Sequence, residues 1–197
     1  MSYPSFFDEV ERIKVVDPLS AALGAYGMDG YEFSYIDVVK SAGHSCPTVA
    51  GAYLITKEAL KALYGDKPAV RGDIKVEFKE DLQEGVAGVI GNVVSQITGA
   101  TDKSGFKGLN GKFARHSLMY FNAPISSSAK FTSISQAKSV EVVYNPNSIM
   151  PSPEMQPLMQ KMMGGTAEPS EIKEFGALWQ DRVKRIFENT DTVITVK

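Results

Sequence analysis

The most reactive residue types of the chain meet in one short segment, Gly43-His44-Ser45-Cys46-Pro47, which holds the only cysteine and one of two histidines. Pro47 suits the first position of a helix because it has no N–H to leave unpaired, so Cys46 falls at the N-cap. Free N–H groups at a helix start favour the thiolate, the form that ligates a metal or attacks carbon. The segment therefore predicts a metal site or a reactive thiol; the alternative is a buried cysteine beside a hydrogen-bonded histidine.

A helix must position this segment, and the residues after it have the required spacing. Residues that would share one face recur at helical spacing from Pro47 to about Tyr64, and Gly65 is a typical helix end. The positions on this face are Val49, Ala52, Tyr53, Thr56, Leu60 and Leu63. The pattern predicts a helix with one buried face that carries Cys46 at its start.

Further along the chain, helical and alternating patterns follow one another in a mixed order. Short helices are expected in the first 25 residues, and a strand or extended arm from Tyr31 to Tyr35. The later expected elements are a strand at 74–77, a helix at 86–97, strands at 116–121 and 139–144, and a helix at 169–188. This order predicts an α+β fold with a mainly antiparallel sheet flanked by helices.

The segment from Gly43 to Pro47 and the helix after it resemble the opening motif of the FmdE-like family, which is named after a component of formylmethanofuran dehydrogenase. Patterns elsewhere also fit that family, and the similarity extends from about Asp37 to Glu188. The segments whose patterns fit the family are Ile74 to Glu77, Gln96 to Gly99, Gly111-Lys112, Met119 to Asn122, Ser139 to Tyr144 and Pro169 to Glu188.

The resemblance implies an α-β-α-β-β-β core, which also occurs in the second domain of glyceraldehyde-3-phosphate dehydrogenases, and it implies a homodimer. We expect one domain over residues 1–197. It consists of an N-terminal helical or extended arm (1–36), the core (37–145) and C-terminal helices (146–197).

The chain departs from the family at positions that matter for a metal. Ala42 stands where relatives carry a histidine, residues 79–86 lack the second cysteine, and the zinc-ribbon tail is missing. The family-type ligand set is thus reduced to His44 and Cys46, and a tight site needs a third ligand. By elimination the candidate is His116, the other histidine; the competing donors are Glu80, Asp81 and Glu84. Thiolate and imidazole suit zinc, nickel or iron.

A loop rich in lysine and glycine, residues 101–112, precedes His116. Lys107, Gly108 and Lys112 are its candidate ligand-binding residues, because backbone N–H groups and lysine charge can surround an anion. The resemblance places this loop near the motif cysteine. The equal alternative is a solvated, flexible loop.

These features predict a metal-binding, FmdE-like protein, most simply a zinc protein, as an accessory or catalytic component of redox or one-carbon metabolism. One alternative is a protein that binds haem or another small cofactor through Cys46 or His44. Another is a metal-free thiol enzyme with Cys46 as nucleophile. The last is a dimeric scaffold.

Composition excludes two classes of partner. The 21 basic and 23 acidic residues give a net charge of −2, so no field attracts nucleic acid or an anionic membrane. The first residues lack a basic stretch followed by an apolar one, and a cytoplasmic location is expected.

Overall fold

A computed structural model describes residues 3–197, and Met1 and Ser2, where the expected N-terminal arm begins, lie outside them. The described part contains seven α-helices: α1 (Pro18–Ala22), α2 (Tyr35–Ala42), α3 (Pro47–Tyr64), α4 (Ala87–Thr98), α5 (Met155–Met163), α6 (Pro169–Glu188) and α7 (Thr190–Val193). It contains eight strands: β1 (Ile13–Val16), β2 (Tyr31–Phe33), β3 (Ala69–Val70), β4 (Ile74–Phe78), β5 (Met119–Tyr120), β6 (Ala129–Ser133), β7 (Lys138–Tyr144) and β8 (Ile194–Val196). Two 3-10 helices add to these, Ser5–Glu9 and Pro146–Ser148. This mixture confirms the predicted α+β class.

The strands form two sheets, one of three strands in the order β2-β1-β3 and one of five in the order β5-β4-β6-β7-β8. In the larger sheet β4 is parallel to β5, and the other neighbouring strands pair antiparallel. The register places Val76 between Met119 and Phe131, all three buried. One face of this sheet therefore belongs to the core.

The helix α3 lies at the centre of the fold. It contacts α2, α4 and α6 as well as the strands β6, β7 and β8. Its start and end agree with the sequence, since Cys46 is the N-cap, Pro47 the first helical residue and Gly65 the C-cap. Buried residues lie on most of its circumference, as is typical of a helix enclosed by other elements. No helix within residues 3–197 is long and apolar enough to cross a membrane.

A buried ion cluster joins the smaller sheet to the rest of the protein. Asp17, which follows β1, accepts hydrogen bonds from Arg71 and Arg115 and from the backbone N–H groups of Leu19 and Ser20. Arg71 also donates to two carbonyls in the last turn of α4, each at 3.0 Å. One carboxylate thus connects the end of β1, the start of α1 and the end of α4.

Three expected features differ from the structure. The helix α3 is buried on most of its circumference rather than on the one predicted face, because other elements enclose it. Residues 13–16 form β1 rather than part of a short helix, because their side chains alternate between buried and more exposed positions and pair with β2 and β3. The strand expected at 116–121 is reduced to β5. His116 and Ser117 lie in a turn instead, since the N–H groups of Leu118 and Met119 both donate to the carbonyl of Thr101.

The charge of Asp17 should control stability. Burial raises the pKa of this carboxyl, but the hydrogen bond from Ser20 and the charges of Arg115 and Arg71 outweigh burial and hold the pKa below its usual range. Because the pKa of Asp17 is lower in the folded state than its unfolded value of about 3.9, the ionised carboxylate stabilises the fold at pH values above 3.9. This contribution is lost as the pH falls through the folded pKa. We expect Asp17→Asn to lower the free energy of unfolding by about 3 kcal/mol at pH 7, because Arg115 stays buried.

Urea unfolding at pH 7 and at decreasing pH measures this effect. The difference in the free energy of unfolding between the wild type and Asp17→Asn should become smaller as the wild-type carboxylate is protonated. Asp191→Asn is the control, since Asp191 is exposed. A difference that is the same at all pH values would contradict the assignment.

Candidate functional site

The segment before α3 folds so that Cys46 turns inward. Its Sγ accepts the N–H of Val49 at 3.4 Å and so caps the helix, and the side chain is 9% exposed. On the preceding residue, the carbonyl of Ser45 accepts hydrogen bonds from Trp179 at 3.0 Å and Gln180 at 3.2 Å, both on α6. Cys46 is therefore a buried capping residue beneath a helix.

Two tyrosines lie close to this cysteine. Tyr35 shares a hydrogen bond of 2.9 Å with the Ser45 hydroxyl, and Tyr144 donates to the carbonyl of Pro47 at 2.6 Å. Burial raises the pKa of both tyrosines well above the ordinary value, and the nearby Cys46 raises it further. Both hydroxyls stay protonated at neutral pH and hold the segment in place by hydrogen bonding.

His44 is exposed, unlike Cys46. Its Nδ1 lies 3.0 Å from the carbonyl oxygen of Ala42, which can only accept, so Nδ1 is the donor of this contact and Nε2 is the ring nitrogen that would bind a metal in the neutral form. His44 lines a cavity of about 190 Å³, which we call the His44 cavity. The other lining residues are Ser41, Ala42, Val89, Asn92, Val93 and Gln96, and Cys46 is not among them.

The third expected metal ligand does not join the first two. The Nδ1 of His116 lies 3.1 Å from the hydroxyl oxygen of its neighbour Ser117. Within residues 3–197, no three side chains of histidine, cysteine, aspartate or glutamate are grouped so that they could hold a metal ion. The structure therefore does not assemble His44, Cys46 and His116 into one ligand set.

The competing carboxylates have local roles. Asp81 accepts the N–H of Gln83 at 3.0 Å, and Glu84 accepts the N–H of Asp81 at 3.2 Å, so the two stabilise their own exposed turn. Glu80 instead lines a cavity beside the first turn of α3.

The loop with the candidate anion-binding residues forms a tight turn. The backbones of Leu109 and Lys112 exchange two hydrogen bonds around Asn110 and Gly111. Gly108 has φ +94°, and a Cβ atom there would lie 2.4 Å from the Lys112 carbonyl oxygen, so glycine is needed for chain packing. Lys107 and Lys112 are exposed on this loop. Their grouping around an anion stays a prediction.

The cavity beside the first turn of α3 has a volume of about 340 Å³ and is larger than the His44 cavity. We call it the α3 cavity. Its apolar lining comprises Pro47, Ile55, Phe78, Val86, Ala87, Ile90, Val143 and Pro146. Its polar lining comprises Thr48, Lys79, Glu80, Ser126, Ser127, Ser128 and Tyr144. The residues come from α3, α4 and the ends of β4 and β7, together with the segment before β6.

Tyr144 forms one wall of this cavity because α3 leaves room for its ring. A Cβ atom at Gly51 would lie only 2.2 Å from the ring, so a side chain there would displace it. The backbone N–H of Tyr144 donates to the hydroxyl oxygen of Ser128 at 3.1 Å, and Ser127 donates to Glu141. The serine segment and Tyr144 therefore support one another.

Sequence reasoning did not identify the α3 cavity, although two signals are present in the chain. Gly51 interrupts an otherwise well-filled buried helix, which indicates that another group approaches closely. Three consecutive serines, Ser126 to Ser128, precede a buried strand and supply several hydroxyl groups. Neither signal indicates by itself that these residues meet Tyr144.

Fold and site together define an α+β protein with a partly apolar cavity next to a capped helix start. Comparison with models of known protein families gives no match, and comparison with curated proteins gives none either. The relationship to the FmdE-like family and the homodimer therefore stay predictions.

Close packing at Gly51 can be tested by adding one methyl group. We expect Gly51→Ala to lower the free energy of unfolding by about 2 kcal/mol, because its Cβ overlaps the Tyr144 ring. Gly176 lies within α6, and a Cβ atom there would have no neighbour within 4 Å. Gly176→Ala should therefore raise the free energy of unfolding by about 0.5 to 1 kcal/mol. In the Tyr144→Ala variant, Gly51→Ala should no longer lower the free energy of unfolding. If Gly51→Ala lowers the free energy of unfolding equally in the wild type and in the Tyr144→Ala variant, the Tyr144 ring is not the cause.

Proposed function

We propose that this protein binds a small molecule in the α3 cavity. The observation that supports the proposal is the cavity itself, with about 340 Å³ of space beside the Cys46-Pro47 helix start. Ligand sites are typically concave, mostly apolar and supplied with a few convergent polar groups. The α3 cavity has this character, because Phe78, Val86 and Ile90 accompany serine and threonine hydroxyls.

The motif that the sequence singles out contributes to this cavity through the backbone and the helix start. Pro47 and Thr48 line the cavity, and the carbonyl of Pro47 holds the Tyr144 wall. Cys46 fixes where α3 begins. The resemblance to the FmdE-like family is part of this proposal: the shared segment would shape a ligand site, even though the chain lacks the second family cysteine.

Blocking the cavity tests the proposal. The volume of about 340 Å³ lies at the lower end of the roughly 300–1,000 Å³ that is typical of ligand pockets, so small fragments are a suitable library. Saturation-transfer NMR should detect fragments that bind the wild type. We expect Ile90→Trp to abolish this binding, because the indole would fill the cavity.

Val89→Trp is the matched control for this experiment. Val89 lies on the same helix, is 39% exposed and lines the His44 cavity instead. Fragments should bind this variant as they bind the wild type. Loss of binding in Val89→Trp, retention in Ile90→Trp, or a library without any ligand would contradict the proposal.

A second candidate function is metal binding through His44. The observation that favours it is the Nδ1 contact with the Ala42 carbonyl, which leaves Nε2 as a free ligand atom. Metal-binding histidines commonly donate their other ring N–H in this way. One imidazole falls short of the three or four ligands of a tight zinc site, so weak binding is expected unless a second copy of the chain adds donors.

Metal content of protein purified without chelator or nickel resin tests this candidate. Because His44 and Cys46 do not share a cavity, we expect His44→Ala to reduce bound zinc, and Cys46→Ala and His116→Ala to retain it. Visible absorption of the same samples would reveal a haem. Equal metal content in the wild type and His44→Ala would overturn this candidate.

A further inference from the structure

A cavity lined mainly by charged residues lies between the start of β1, the end of α3 and the segment before β3. It has a volume of about 250 Å³, and we call it the basic cavity. The strand β1 pairs with β3 through Val15 and Val16, and the residues before this pair, Ile13 and Lys14, line the cavity. The basic residues of the lining are Arg12, Lys14, Lys57, Lys61 and Lys67, and the acidic ones are Glu11 and Asp66.

Ion pairs account for two of the five basic side chains. The ammonium group of Lys57 lies 2.8 Å from Glu11 and 3.0 Å from Glu58. The guanidinium group of Arg12 lies 3.9 Å from Glu32. Glu32 and Glu58 are not part of the lining, and with both of them included the five positive charges still exceed the four negative ones. The surroundings of the cavity are therefore positive on balance.

The other three basic side chains of the lining have no fixed partner. Lys14, Lys61 and Lys67 are exposed, and they take part in none of the ion pairs of residues 3–197. Asp66 is also unpaired in this part of the chain, so three free ammonium groups accompany one free carboxylate. The carbonyl end of α3 adds only about half a negative charge. An excess of positive charge remains for a ligand.

The charges of the lining are close enough to act on one another. The hydrogen bond from Lys57 and the charges of Lys57 and Lys61 hold the pKa of Glu11 below its usual value. Lys61 lies one helical turn after Lys57 and thus affects a carboxylate at the other side of the cavity, on the segment before β1. A negatively charged ligand in the cavity would interact with Lys61 in the same way.

The rest of the lining offers a ligand little apolar surface. Ile13, Leu60 and Ala69 are buried, and Pro68 is partly buried. All charged lining residues except Lys57 are exposed, so a ligand would contact them in the presence of water. A single exposed ion pair contributes little to binding, and several are needed together. The cavity therefore suits a polar ligand with several negative charges close to one another.

We infer that the basic cavity is a second binding site, for a small molecule that carries a diphosphate group. Each phosphate group carries about 1.5 to 2 negative charges at pH 7, so two linked groups balance the excess of five basic over two acidic lining residues. Lysine binds phosphate as a point charge, whereas the planar arginine fork matches a carboxylate, and the three unpaired residues are all lysines. The basic cavity shares no lining residue with the α3 cavity, so this inference is independent of the proposed function.

Calorimetry with pyrophosphate and with inorganic phosphate, in buffer without magnesium, tests the inference. We expect pyrophosphate to bind about tenfold more tightly than phosphate, because it forms additional exposed ion pairs. Lys61→Met and Lys67→Met should each weaken the binding of pyrophosphate about threefold. Added salt should also weaken this binding, since exposed charges are screened.

Lys112→Met is the matched control. Lys112 is exposed and takes part in none of the ion pairs of the described residues, and it belongs to the loop at 101–112, which is the competing candidate for an anion. This variant should bind pyrophosphate as the wild type does, and so should Ile90→Trp, which blocks the α3 cavity alone.

Three results would overturn the inference: no binding of pyrophosphate, equal affinity for pyrophosphate and phosphate, or binding that is weakened in Lys112→Met and unchanged in Lys61→Met and Lys67→Met. None of these results concerns the α3 cavity, for which fragment binding is the test.

Discussion

The close approach of α3 to β7 at Gly51 is the constraint on which both the core and the candidate site depend. A single methyl group at this position would overlap the ring of Tyr144. Because the ring fits here, its hydroxyl reaches the Pro47 carbonyl and its backbone N–H reaches Ser128. The start of α3, the end of β7 and the serine segment are thereby fixed relative to one another, and the α3 cavity lies between them.

The segment before α3 is held from other sides as well. Trp179 and Gln180 on α6 donate to the Ser45 carbonyl, and Tyr35 on α2 contacts the Ser45 hydroxyl. Such convergence gives the His44-to-Pro47 segment a defined shape. The two residues differ in their surroundings: Cys46 caps α3 and is buried, whereas His44 lines an open cavity.

Local sequence signals predict the central elements well. Pro47 and Gly65 mark the ends of α3, and the apolar face between them is continuous, so both bounds are confirmed by the structure. The helix at 169–188 is confirmed too, since Pro169 starts it. The strand β1 was missed because four residues are too few to separate a period of two from a helical period, and its identity depends on pairing with Phe33 and Ala69 across the chain.

The candidate site is less accessible to sequence reasoning, for a physical reason. Thr48, Ser128 and Tyr144 are separated by 80 and 16 positions along the chain, and only the approach of β7 to α3 brings them together. Conversely, His44 and Cys46 are two residues apart and yet face different surroundings, because one lies in a turn and the other caps a helix. Spacing predicts a shared site only where the backbone conformation is known.

The central claim is that a ligand occupies the α3 cavity, and methyl NMR of isoleucine- and valine-labelled protein locates a ligand most directly. When a fragment that binds the protein is added, we expect the methyl signals of Ile55, Val86, Ile90 and Val143, which line the cavity, to change their chemical shifts. Methyl signals of Ile13, Val183 and Ile186, buried elsewhere in the core, should stay unchanged. Shifts centred on other methyl groups, with those of the cavity unmoved, would contradict the claim.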